Sequence, residues 1–168
     1  PEDYEGRRDL RDELIFTTAL WTRKAQDLFD NPRLSLLFHW PELGRQVHVT
    51  GRAQRTPRDL DERLFAERPL AHRVQTHVSR QGELIEDLEQ LRRRAVDLYH
   101  RLTSEAARTK GRRPTRGVEA EVELPCPDEW GGFAVQPAAI EFWRQAPDRI
   151  HERTVYVRGE TASWNVRR

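Results

Sequence analysis

Thr18, followed closely by Thr22 and the pair Arg23-Lys24, puts a hydroxyl and two cations beside the start of a helix. That combination suits a phosphate, because the free N–H groups and dipole of a helix N-terminus add to the side-chain charge. In isolation, Arg23 and Lys24 read rather as ordinary surface cations. Gln46 and Gln81 lie beside apolar strands or turns and read as buried amides. An amide offers donor and acceptor together, as the mixed edge of an aromatic heterocycle requires. Either glutamine alone is also a turn or core-edge residue. Arg149-Ile150-His151-Glu152-Arg153 would set Arg149, His151 and Arg153 on one side of an extended segment. Such neighbours repel unless an anion or an electron-rich ring sits among them; a solvated strand face is the other reading.

Other chemistries find no support. The six histidines are scattered, with no H-x-x-x-H or Cys/His cluster, so no metal site is expected. No G-x-S-x-G, P-loop or Rossmann glycine pattern appears. Arg92-Arg93-Arg94 shares its helix with Glu86, Asp87, Glu89 and Asp97, and reads as a solvated face rather than a nucleic-acid patch.

The elements that must position these residues are legible as periods and stops. Leu14-Ile15-Phe16 opens a short strand after an almost wholly polar segment, 1–13. Thr22 caps a helix through Phe29 that stops at Asn31-Pro32. Leu34 to Trp40 reads as a buried strand, and Val47, Val49 and Ala53 alternate with Gln46, His48, Thr50 and Arg52 in the next. Thr56-Pro57 caps a helix to about Glu67. Leu84, Leu88, Leu91, Ala95, Leu98 and Leu102 form one apolar stripe of a helix between Glu83 and Leu102. Ser104 to Glu121 reads as a polar loop. Trp130 to Val135 is a strand, Pro137 to Ile140 a short helix, and Thr154 to Arg158 with Ser163 to Val166 a closing hairpin around Gly159. Strands at both ends with helices between predict a mainly β fold, a small antiparallel barrel with peripheral helices, in one domain over 14–168.

Bulk composition narrows the partners. The chain has 168 residues, 29 basic and 28 acidic, for a net charge of +1. That balance predicts neither a nucleic-acid backbone nor an anionic membrane as main partner. A single cysteine, Cys126, excludes an internal disulfide and suits a reducing compartment. No apolar run reaches the roughly 18 residues of a membrane span, and no signal-peptide pattern opens the chain; a cytoplasmic protein is expected.

The residues acquire context from their order. Thr18 with Arg23-Lys24, Asn31-Pro32, Gly44-Arg45-Gln46-Val47, Arg68-Pro69 and Val78-Ser79-Arg80-Gln81 are followed by Trp130-Gly131-Gly132-Phe133. Glu141-Phe142-Trp143 and the R-x-H-x-R block Arg149 to Arg153 close the set. From Phe16 onward this series resembles the pyridoxine/pyridoxamine 5'-phosphate oxidase family. The resemblance implies an FMN-binding split β-barrel, a Greek-key antiparallel barrel working as a homodimer with FMN at the interface. Thr18, Arg23 and Lys24 resemble contacts to the flavin phosphate and ribityl chain. Gln46 and Gln81 resemble residues at the isoalloxazine edge, and Trp143 and Arg153 resemble further flavin contacts. Arg149 and His151 resemble the pair covering the substrate ring, and Arg68 the arginine that binds the substrate phosphate, a task suited to a guanidinium fork. The implied reaction passes a hydride from the substrate to N5 of FMN, with molecular oxygen as the final acceptor.

Departures from the family pattern bear on the substrate. Leu64 stands where tyrosine is usual and His72 where serine is common, both in the implied phosphate pocket. Thr17 replaces a tyrosine, Gly82 a serine, and the expected Arg-x-x-x-Leu-Leu-Lys strand is not recognisable before Phe16. Two alternatives follow: a related flavin oxidase acting on another small-molecule ring, as in phenazine-type aromatisation, or a flavin-binding split barrel without turnover. Retention of Arg149 and His151 weighs against the second.

Overall fold

Local signals at Thr22 and Asn31 act where the sequence places them. In the computed structural model, which describes residues 13–109, 119, 122–159 and 163–167, strand β1 (Leu14–Ala19) leads into helix α1 (Arg23–Asp30). The Thr22 hydroxyl accepts the Ala25 N–H at 3.4 Å, and the Asn31 side-chain oxygen accepts the Arg33 N–H at 3.2 Å as the chain leaves the helix. Strands β2 (Arg33–Trp40) and β3 (Arg45–Arg55) follow, then helices α2 (Arg58–Ala66), α3 (Leu70–Val78) and α4 (Leu88–Thr109). Strands β4 (Trp130–Arg144), β5 (Glu152–Arg158) and β6 (Trp164–Arg167) complete the order. The polar N-terminal segment, most of the Ser104–Glu121 stretch beyond Thr109 and the tip of the last hairpin lie outside the described residues. Among those described, no helix is long and apolar enough to cross a membrane.

The sheet runs β2-β3-β4-β5-β6, with antiparallel pairing throughout that path, and β1 pairs with β4. Residues Pro137 to Ile140, expected as a short helix, instead continue β4. The reason is a register shift between Thr50 and Gly51 of β3, directly opposite Pro137. A bulge accommodates a residue that cannot donate to the ladder. Gly51 makes the approach possible, since a Cβ there would lie 2.3 Å from the Gln136 carbonyl oxygen.

Two compact units make up the chain, one of residues 1–16, 26–55 and 133–168, the other of 17–25 and 56–132. In the first, Val49, Ala53, Phe133, Ala134 and Val135 are buried, and the Phe133 ring lies 5.6 Å from Phe16 and 5.7 Å from Phe29. The dense run in β2 is not buried as expected: Leu37 is 62% exposed, and Phe38 and Trp40 are exposed as well. Composition alone does not separate a core strand from an edge strand, and β2 ends the sheet path.

In the second unit, Leu70 and Val74 of α3 pack with Val122 against Ala95, Leu98, Tyr99 and Leu102 of α4. Helix α3 is absent from the sequence reading because Arg73 interrupts its inward face. That arginine is only 7% exposed, and its guanidinium donates to the carbonyls of Val122 and Glu119 at 3.1 and 3.2 Å. Helix α4 starts at Leu88 rather than Glu83, because the Asp87 carboxylate accepts the Gln90 N–H at 2.8 Å and sets the cap. Leu84 is consequently 91% exposed, outside the helix and its stripe. Helix α2 begins after Pro57, without a side-chain cap; Thr56 is turned instead toward Asp61 and Gly132.

Cys126 lies in this unit beside Arg58, which donates to the Cys126 carbonyl at 2.6 Å. Burial pushes the thiol from 9.0 up to about 11, against the lowering pull of Arg58. The expected result is slow alkylation by iodoacetamide at neutral pH, with a rate that rises toward a midpoint near 11. A midpoint near pH 8 would contradict this environment. Because the folded thiol is the weaker acid, its contribution to stability is intact below about pH 9 and lost as pH rises toward 11.

Candidate functional site

Strand register decides which candidate residues of the first unit meet. Gln46 pairs with Trp143, and Trp143 pairs with Arg153, so the three form one row across β3, β4 and β5. Side chains directly opposite one another share a face of the sheet. On the same face, two residues along, His48 pairs with Glu141. Glu141 forms an ion pair with Arg153 at 3.5 Å, and Ser35 meets His48 at 2.5 Å. The row therefore carries an amide, an indole and a guanidinium side by side.

His151 joins this row by another route. Its ring lies 4.8 Å from that of Trp143, tilted by 56°, and its Nδ1 accepts the Ala146 N–H at 3.2 Å. That bond leaves Nε2 as the ring's free edge. Arg149, His151 and Arg153 do not line one side of an extended strand as expected. Only Arg153 lies in β5; Arg149 sits in a turn with φ +65°, closed by its N–H on the Ala146 carbonyl at 3.1 Å. Beyond the turn, Ile150 N–H donates to the Asp148 carboxylate at 3.0 Å. Both Arg149 and His151 are exposed.

Gln46 and Trp143 also line a cavity of about 450 Å³, together with Trp40, Leu43, Val47, Phe142 and the Arg144–Glu152 pair. Glu152 accepts two hydrogen bonds from Arg144, at 3.0 and 2.5 Å, which hold its carboxyl below the usual range.

In the second unit, Thr18, Gln81 and Arg68 line one polar cavity of about 370 Å³, together with Thr17, Trp21, Thr76 and Ser79. Thr18 is buried, with its hydroxyl 3.4 Å from that of Thr22. Gln81, expected to be buried, is exposed, in a turn held by the Trp21 indole N–H on its carbonyl oxygen at 2.9 Å. The Arg80 guanidinium lies 4.9 Å from the centre of the Trp21 ring. The neighbouring Gly82 has φ +93°, a conformation that a serine would adopt only under strain. Arg23 and Lys24 occupy the first turn of α1 but do not line this cavity.

Arg68 lies between α2 and α3, two residues before Leu70, and three side chains define its place. Its Nη1 donates to the Thr76 hydroxyl at 2.8 Å, and the guanidinium lies 5.8 and 5.3 Å from the ring centres of Phe65 and Trp130. Burial lowers its pKa from the usual arginine value. Leu64 and His72 do not line its cavity. The sequence reading missed Thr76 and Trp21, and gave Ser79 no role beyond its place in the Val78–Gln81 block. For Thr76 the signal is spacing: it stands one helical turn after His72.

The profile described as pyridoxamine 5'-phosphate oxidase matches residues 7–102, and that of the pyridoxine 5'-phosphate oxidase C-terminal dimerisation region matches residues 130–168. Pyridoxine/pyridoxamine 5'-phosphate oxidases of Burkholderia vietnamiensis and Paraburkholderia phytofirmans are 36% and 38% identical over 92% of this chain. The match spans 64% of the length of each of those relatives. Among solved structures, PhzG from Burkholderia lata 383, in complex with tetrahydrophenazine-1-carboxylic acid, aligns with a TM-score of 0.73 at 26% identity. The alignment covers 93% of this chain and 67% of PhzG. A pyridoxamine 5'-phosphate oxidase-related, FMN binding protein from Nostoc punctiforme shares the fold, with a TM-score of 0.64 at 14% identity, over 96% of this chain and 75% of its own. Its ordered motifs, its antiparallel sheet and these matches together make this chain a member of the pyridoxamine 5'-phosphate oxidase family, with that family's FMN-binding split-barrel fold.

Proposed function

We propose that this protein is an FMN-dependent oxidase that takes a hydride from a small ring substrate, with molecular oxygen as the final acceptor, and that it works as a homodimer. The observation that carries the reading is the cross-strand row Gln46, Trp143 and Arg153. The donor set suits a flavin. Gln46 supplies both hydrogen-bonding senses, Trp143 a flat apolar surface and Arg153 a fixed positive charge. In the other unit, Thr18 and Gln81 open onto a polar cavity, and Arg23 and Lys24 place two cations at a helix N-terminus, chemistry suited to a phosphate and a ribityl chain.

When bound, FMN supplies the redox chemistry, accepting the two electrons and the hydrogen as a hydride at N5. The chain's own work is binding and orientation. Arg149 and His151 cover the substrate ring, and Arg68 holds an anionic substituent with a fork that a point charge does not offer. The dimerisation region over 130–168 supports the second copy, which would complete the flavin site.

For the substrate, the 36–38% identical relatives support a vitamin B6 phosphate. The likeness to PhzG, with Leu64 and His72 in place of hydroxyl donors, supports a partly reduced phenazine-type ring instead. The deciding experiment adds pyridoxine 5'-phosphate or tetrahydrophenazine-1-carboxylic acid to the flavin-loaded protein without oxygen. Bleaching of the flavin band by one of them identifies the ring class; a protein that neither carries nor binds FMN defeats the proposal. Lys24→Ala is expected to weaken FMN binding about ten- to a hundredfold, the equivalent of one charge-assisted contact of roughly 1.5–3 kcal/mol. Equilibrium dialysis with the apoprotein measures it, and an unchanged affinity removes Lys24 from the flavin set.

A further inference from the structure

We infer that Thr76 is a positioning residue that presets the Arg68 guanidinium for a phosphate monoester. This rests on the reading of Arg68 as the anion contact of the proposed site.

The geometry assigns a direction to each hydrogen of the Thr76 hydroxyl bond pair. Thr76 donates its own hydrogen to the His72 carbonyl at 2.9 Å, the back-bond of a threonine within a helix. Its oxygen lone pair is thereby turned outward, and Arg68 Nη1 donates to it at 2.8 Å. A hydroxyl engaged in this way steers a cation; it has no hydrogen left for an anion. Among the described residues no carboxylate pairs with Arg68, so its charge is not cancelled where it stands. The rings of Phe65 and Trp130 flank the guanidinium and limit its swing. Arg68 lines the polar cavity together with Thr17, Thr18 and Ser79.

An arginine held by one hydroxyl and two rings binds an anion with less ordering cost than a free one. An acidic partner would fix it as well, yet would cancel the charge the ligand needs. Thr76 fixes it without that penalty.

Equilibrium dialysis of the flavin-loaded protein with pyridoxal 5'-phosphate and with pyridoxal reads the phosphate preference directly. Thr76→Val and Thr76→Ala are each expected to reduce that preference about five- to tenfold, with pyridoxal binding altered less than twofold. Thr76→Ser, which keeps the hydroxyl, should restore it to within about twofold of wild type. Arg68→Ala separates the two levels of the reading. If Arg68→Ala leaves the phosphate preference intact, the anion site itself is wrongly placed. If Arg68→Ala abolishes the preference and neither Thr76→Val nor Thr76→Ala changes it, Thr76 has no positioning role and the inference is overturned. Circular dichroism of each variant confirms the fold, and Thr76→Ala suits the helix even where valine does not.

Discussion

Asp61→Ala is expected to lower the unfolding free energy by about 3 kcal/mol, more than any other single truncation considered. Asp61 is fully buried, at 0% exposure, in the first turn of α2. Its carboxylate accepts the Thr56 hydroxyl and, at 2.8 Å, the N–H of Gly132. Removing it takes the acceptor from the Thr56 hydroxyl, a loss of roughly 1–3 kcal/mol for a buried donor, and leaves the Gly132 N–H only its bond to the Thr56 oxygen at 3.0 Å. The same junction explains the second glycine of Trp130-Gly131-Gly132-Phe133. A Cβ on Gly132 would lie 2.7 Å from the Thr56 hydroxyl oxygen, so Gly132→Ala should destabilise by a similar route. Urea unfolding followed by circular dichroism measures both. A loss under about 1 kcal/mol for Asp61→Ala, at unchanged denaturant slope, would mean that water or a rearranged loop replaces the carboxylate. The consequence reaches the candidate site, because this junction anchors the segment that presents the Trp130 ring beneath Arg68.

How much of this was legible beforehand depended on the range of the forces involved. Caps and stops act within one turn, so α1 was readable from Thr22 and Asn31-Pro32. The alternation along β3 was readable too, because period two shows within six residues. Helix α3 was not, because Arg73 satisfies its charge on the carbonyls of Glu119 and Val122, more than 45 residues away. Nothing near Arg73 announces a buried cation. Pro137 was misread for the same reason: the bulge that tolerates it is made by Gly51 on another strand. The candidate site divides along this line. Residue types at Gln46, Trp143 and Arg153 were visible, whereas their alignment in one row is a property of register across three strands. Thr76 was invisible, since its meaning comes from Arg68 and the two rings beside it.

Arg149→Gly is expected to move stability and activity in opposite directions. Arg149 has φ +65°, and it is the non-glycine residue with positive φ among those described. Such a conformation costs a side-chain-bearing residue roughly 1–2 kcal/mol relative to its usual regions. Glycine adopts it freely but loses more entropy on folding, so the net gain in stability should be about 0.5 kcal/mol. A turn selected for stability alone would favour glycine or asparagine there. Keeping arginine at a strained, exposed position, two residues before a histidine packed on Trp143, is easier to understand if the guanidinium works on a ligand. Removing it should lower kcat/KM about a hundredfold, equivalent to one charge-assisted contact of roughly 2.7 kcal/mol. Arg149→Ala should lose the activity as well, and without the gain in stability, because alanine inherits the strain. Thermal unfolding and oxygen-uptake kinetics on the two variants separate the effects. If Arg149→Gly retains wild-type turnover, Arg149 serves only the turn, and its proposed role at the substrate is removed.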